Sequence, residues 1–216
     1  MDAATVLQQF TANDDEAIPA ELLQRARGIA IIPNVLRGGF IFGGRRGRGV
    51  LIVRSERGDW SNPSFITLTG GSIGGQIGME STDLVLVFAN DNAVKNMSSG
   101  KFTLGGDASA VAGPLGRHVT GAVTFKAEVY VYSRSRGLFA GASFEGARLS
   151  IDDDADAAFY AGSGTHALGE QSDGTPASAR RFLLTVEPLT AALPVPESAR
   201  PKDTKTEEEA QTFPLE

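Results

Sequence analysis

An α+β fold, a single glycine-rich domain of mainly antiparallel strands with short flanking helices, is what this 216-residue chain predicts. The 26 glycines cluster between Gly28 and Gly146, a density that implies tight turns between short strands. Between them stand apolar, β-branched runs of strand length, such as Ile29–Ile32 and Leu84–Phe88. Apolar residues at helical spacing occur only in short stretches.

Taken in order, Val6, Leu7 and Phe10 predict a helix over Ala3–Phe10. Leu22, Leu23 and Ala26 predict a second over Ala20–Ala26, after Pro19. Ile29–Ile32 reads as an apolar strand ended by Pro33. Gly39–Phe42 and Val50–Val53 then flank Gly43–Gly49 and read as a hairpin with that run as its turn. Strands follow at Ser64–Leu68, Gly74–Met79 and Leu84–Phe88, the last apolar throughout and therefore central. Asn90 caps a helix to Met97, and Gly100–Gly116 is loop. Thr120–Tyr132 alternates, with Val129 and Val131 on a buried face and Tyr130 and Tyr132 on a half-exposed one. Gly137–Phe144 is a strand, Asp152–Tyr160 a helix with acids in its favoured first turn, and Ala177–Glu187 a helix with Phe182, Leu183 and Val186 on one side. The expected organisation is a helical segment at 1–27 packed on the domain, the domain itself at 28–187, and a disordered acidic, proline-containing tail at 188–216.

Composition narrows function. The absence of cysteine excludes disulfides, thiolate metal sites and cysteine nucleophiles. No apolar run reaches the roughly 20 residues of a spanning helix, and Met1–Ala4 lacks the features of a signal peptide. The expected compartment is the cell envelope or periplasm if a targeting segment was removed and otherwise the cytoplasm. A formal net charge of −6 argues against a nucleic-acid partner. The charge is unevenly spread, however. Between Arg25 and Arg57 the only acid is Glu56 among eight arginines, and between Ser150 and Thr175 six acids stand without a Lys or Arg.

The basic run supplies the candidate site. Arg45, Arg46 and Arg48 sit in the glycine run taken as the hairpin tip, Arg37 flanks it, and Arg134 and Arg136 alternate with hydroxyls in Tyr132–Gly137. Guanidinium forks and hydroxyls suit phosphate oxygens. The competing reading is a solubilising loop, or pairing with Asp83, Asp91 and Asp107. Elsewhere the chemistry is thin. Gly70-Gly71-Ser72-Ile73-Gly74 matches the G-x-S-x-G nucleophile elbow, which needs a strand before it and a helix after it, and the glycines after Ser72 make a poor helix start. Gly105-Gly106-Asp107…Gly113-Pro114 lacks the G-K-[ST] ending of a phosphate loop, and Gly43–Gly49 has no G-x-G-x-x-G spacing. Asp152-Asp153-Asp154-Ala155-Asp156 lacks a calcium-loop pattern and reads as helix capping. His118 and His166 stand alone. No catalytic residue, metal ligand or cofactor is assigned.

Five blocks together resemble the SYLF-domain family of lipid-binding proteins: IPNVLRGGFIFGGRRGRGVL, WSNPSFITLTGGSIGGQIG, TDLVLVFAN, LGGDASAVAGPLGR and YSRSRGLFAGASFEGARLSIDDDADAAFY, spanning Ile32 to Tyr160. Gly75, Asp156 (where the family usually has Asn) and Ala161 depart from its pattern. The resemblance is to a stand-alone, bacterial-type member. It implies a non-enzymatic domain that binds phosphoinositides or other anionic phospholipids at a membrane surface, with a small α/β unit similar to the BON domain. Eukaryotic members of the family connect membranes to actin. The alternative is a structural or interaction domain of the cell envelope that meets an acidic protein partner or a second copy of itself.

Overall fold

The computed structural model describes residues 2–12, 17–39, 42–73, 78–99, 102–116, 126–136, 144 and 146–191. In chain order the elements are α1 (Ala3–Ala12), α2 (Ala20–Arg25), β1 (Gly28–Gly39), β2 (Phe42–Val53), β3 (Ser64–Ile73), β4 (Gly78–Phe88), α3 (Asp91–Ser98), β5 (Phe102–Thr103), β6 (Ala110–Ala112), β7 (Val129–Arg136), β8 (Arg148–Ile151), α4 (Asp153–Tyr160) and α5 (Ala177–Thr190). The strands form one eight-stranded sheet in the order β5-β8-β3-β2-β1-β4-β7-β6. Every pairing is antiparallel except β6 on β7. The predicted fold class is the observed one.

The continuous apolar runs exist because both faces of the middle strands are covered. Side chains alternate along a strand. Ala30, Ile32, Leu51, Leu84, Leu86 and Phe88 therefore join one core with Ala93 and Met97 of α3, Phe102 and Leu149. Ile29, Ile31, Ile52, Val85 and Val87 join another with Val6, Leu7 and Phe10 of α1, Leu22 and Leu23 of α2, and Leu183 and Val186 of α5. β7 follows the same rule, which corrects the half-exposed face expected for it. Tyr130 and Tyr132 are 5% and 3% exposed in the helix-covered core, and burial raises the Tyr132 hydroxyl above its ordinary pKa. Phenol rings place most of their surface on carbon, so a covered sheet face accepts them once the hydroxyls bond. Tyr132 donates to the Pro114 carbonyl at 3.0 Å.

Caps read from the sequence are formed: the Asn90 side chain accepts from Ala93 N–H and that of Asp152 from Ala155 N–H. Five expectations change. β1 runs through Pro33 to Gly39, and β4 is one strand beginning at Gly78. The segment taken as loop at Gly100–Gly116 contains β5 and β6, and β8 was not anticipated. Pro188 lies within α5, which continues to Thr190. His118 and the segments 120–125, 137–143 and 192–216 lie outside the described residues, and with them most of the strand expected at Gly137–Phe144 and of the expected tail.

Candidate functional site

β1 and β2 do form a hairpin, but Gly43–Gly49 is not its turn. Gly39 pairs with Gly43, Arg37 with Arg45 and Leu36 with Arg46, so the arginines lie along β2. The basic tip is therefore corrected to a basic strand. The glycines serve a different need. β1 carries an extra residue at Pro33–Asn34, where the register with both neighbours shifts. Asn34 takes φ 50° there, and its N–H donates to Asp83 Oδ1 at 2.9 Å. Such a bulge bends and twists its strand, and β2 passes close against it. A Cβ on Gly47 would stand 2.7 Å from Ile32 Cγ2; one on Gly49 would stand 2.8 Å from Ile32 Cα and closer still to the Ile31 carbonyl oxygen.

Alternation then divides the arginines. Val50 and Ile52 belong to the helix-covered face, which puts Arg48 and Arg46 on that face and Arg45 on the other. Arg45 rests with its guanidinium carbon 5.3 Å from the Phe144 ring centroid. It runs over Gly70, where an added Cβ would come within 3.1 Å of Arg45 Cγ. Arg37, its cross-strand neighbour, pairs on its other side with Glu80. Arg134 is half-buried, 5.1 Å from the Phe10 ring centroid. Arg136 ends β7 opposite Ser81.

Register gathers what sequence distance separates. One row across β3, β2, β1, β4 and β7 reads Thr69, Arg46, Leu36, Ser81, Arg136; the next pairs Thr67 with Arg48 and Asp83 with Arg134, with the bulge between. β2 and β7 are three strand spacings apart, about 14–15 Å. Arg46 and Arg48 are exposed, and among the described residues their side chains make no hydrogen bond, ion pair or ring contact. Leu36, 52% exposed, stands in the middle of the row. The face is cationic, lined with hydroxyls and centred on one apolar side chain, a combination that can accept phosphate or carboxylate oxygens. Sequence reasoning missed Leu36, Thr67, Thr69 and Ser81. The available signal was Pro33, because proline inside a strand pattern marks a bulge, and a bulge resets which residues share a face.

The other candidates dissolve into structure. Ser72 lies within β3 opposite Gly43, so the strand–turn–helix of a nucleophile elbow is missing. Of the acids offered as partners, Asp91 does hold an arginine of the basic run, Arg27, at 2.7 Å, and Asp107 accepts from Thr103 N–H. His166 is exposed, and its carbonyl accepts from Asn62 Nδ2. Among the described residues no group of three His, Cys, Asp or Glu side chains is arranged to hold a metal ion, and no helix is long and apolar enough to cross a membrane.

Asp156 clamps α4 to the start of β3, accepting from Ser64 Oγ at 2.5 Å and Phe65 N–H at 2.7 Å. Burial raises its carboxyl above the ordinary 3.8, the two hydrogen bonds oppose that, and Asp153 and Asp152 add to it. A carboxyl raised by folding contributes stability that is full below its ordinary pKa and is lost as pH rises through the folded value. Asp156→Asn cannot ionise, keeps an acceptor for Phe65 and gains a donor for Ser64. In thermal melts from about pH 3 to 7, wild type is expected to lose ground steadily to Asp156→Asn; a constant gap between the two would refute the shift. Asp156→Ala loses both bonds, about 1–3 kcal/mol.

The sequence model of the Ysc84 family, described as Las17-binding protein actin regulator, matches residues 69–188. LAS seventeen-binding protein 3 of Saccharomyces cerevisiae is 42% identical over 168 residues, which cover 73% of this chain and 36% of that protein. The yeast Protein YSC84 is likewise 42% identical over the same extent. The human SH3 domain-containing YSC84-like protein 1 is 39% identical over 166 residues, 73% of this chain and 48% of that protein. The matched region thus spans less than half of these curated relatives. No solved structure matches the chain significantly. With the family model covering more than half of the chain and these relatives spanning most of it, the chain belongs to the Ysc84 family of SYLF-domain proteins.

Proposed function

We propose that the helix-covered side of the sheet, where it emerges beyond α1 as a basic face, docks non-enzymatically on anionic phospholipid head groups of the phosphoinositide type at a membrane surface. The observation that carries this is the pair Arg46 and Arg48, exposed and without partners among the described residues. They share register rows with Arg134 and Arg136, while Arg37 and Arg45 lie on the opposite side and contribute through the general field alone. Leu36 adds an apolar contact at the centre. Each arginine near an anionic surface contributes about 1 kcal/mol, so attachment is reversible and salt-sensitive.

Sedimentation with phosphatidylinositol-phosphate vesicles tests it. Arg46→Glu/Arg48→Glu is expected to weaken binding at least tenfold and to flatten its salt dependence, with a smaller effect from Arg37→Glu/Arg45→Glu. Wild-type binding by the Arg46/Arg48 variant would overturn the reading. A second reading, an acidic protein partner on the same face, draws support from relatives named for binding Las17. It gains if wild type ignores vesicles.

A further inference from the structure

The basic face ends in a cleft. The first turns of α1 and α4 approach each other over β2 and β3, and between them lies a cavity of about 350 Å³ lined by Ala3, Pro33, Val50, Phe65, Ala155 and Arg48. That volume is near the lower end of the about 300–1,000 Å³ typical of small-molecule sites. Small side chains line it in the first turn of each helix, Ala3 and Ala155, and leave space over Val50 and Phe65. Arg48, which lines it as well, is exposed. Asp152, which also lines it, is already engaged, accepting from Ala155 N–H at 3.2 Å and Thr67 Oγ1 at 3.5 Å.

Two properties define the occupant. The first is that, apart from Arg48 and the already engaged Asp152, the side chains lining the cleft carry no polar atom. A polar group entering it would lose its water without replacement, an unfavourable exchange, so what enters is hydrocarbon. The second is the exposed, unpartnered Arg48 guanidinium beside it, with Arg46 two residues on, which requires that the hydrocarbon end in an anion. We infer that the cleft seats one acyl chain of a single anionic phospholipid whose phosphate rests on Arg46 and Arg48. This rests on the head-group reading above and extends it: the domain holds an individual lipid molecule, partly withdrawn from its leaflet, as well as the surface.

Monomeric short-chain phosphatidylglycerol separates the two levels. In calorimetric titrations below the micelle concentration, wild type is expected to bind the dioctanoyl lipid about tenfold more tightly than the dihexanoyl lipid, since each buried methylene strengthens binding about three- to four-fold. Ala155→Leu, which fills the cleft from α4, is expected to bind both equally weakly while still sedimenting with anionic vesicles. Ala3→Leu fills it from α1 and serves if the first variant melts early. Equal affinity of wild type for both lipids, or an undiminished chain-length gain in a folded Leu variant, overturns the cleft while vesicle binding by wild type keeps the head-group reading. Failure of wild type to bind vesicles at any salt overturns both.

Discussion

Gly49→Ala is expected to destabilise the domain by about 3 kcal/mol or more, near the upper end of what overpacking does. The methyl group would meet backbone, the Ile31 carbonyl and Ile32 Cα, and backbone in a central strand cannot rotate out of the way. Relief requires β1 and β2 to separate where Ile31 pairs with Val50, next to Ile31 and Ile32, which are fully buried in the two cores. Gly47→Ala meets the Ile32 and Val35 methyls instead, which can shift by a rotamer, so about 1–3 kcal/mol is expected. Gly38→Ala meets nothing within 4 Å and should change stability by less than about 0.5 kcal/mol. Urea midpoints at constant slope give the order. If Gly49→Ala unfolds at the wild-type midpoint, the close approach of the two strands is wrong.

Trp60→Ala is expected to lose about 3–5 kcal/mol. Trp60 is 4% exposed; its Nε1–H donates to Thr190 Oγ1 at 2.8 Å, and the Arg54 guanidinium carbon lies 4.5 Å from its ring centroid. The same guanidinium donates to the Gln24 carbonyl at 2.8 Å and the Thr190 carbonyl at 3.2 Å. Burial, and then Arg27, pull Arg54 below its ordinary pKa. The indole is thus the plate on which an arginine joins the ends of α2 and α5 to β2. Removing it opens a cavity and strips the half-buried cation of its ring contact. Trp60→Phe keeps a ring and forfeits the N–H donor, about 1 kcal/mol. A phenylalanine variant as unstable as the alanine variant would mean that the hydrogen bond, not the plate, carries the node.

What the sequence made legible was local. Leu22 and Leu23 of α2, Val6, Leu7 and Phe10 of α1, and the Asn90 and Asp152 caps all depend on residues a turn away, and each is found as read. The basic run was found as well, but its place was not, because the reason for glycine at 47 and 49 lies in β1. A glycine forced by a neighbouring backbone and a glycine forced by a turn are the same letter. From that one misplacement followed the grouping of Arg45 with Arg46 and Arg48, which a strand separates and a turn would not. Tyr130 and Tyr132 were misjudged for a related reason: alternation shows that a strand has two faces, and only distant helices decide whether both are covered. The short strands β5, β6 and β8 owe their existence to partners far along the chain, and two to four residues carry too little pattern to announce them.

The strand order has a temporal meaning. β1 and β2, the middle of the sheet, are synthesised well before β8, which completes the β3 side, and α5, which closes over Ile29, Ile31 and Ile52. Roughly 150 residues separate the end of β1 from the end of α5, about 8–30 s of ribosomal synthesis at about 5–20 residues per second. For that interval the nascent chain presents an apolar strand surface sealed only by α1 and α2, and a β3 edge with open hydrogen bonds. The sheet is built from its centre outward on both flanks, and α5 is the lid that β1 and β2 await.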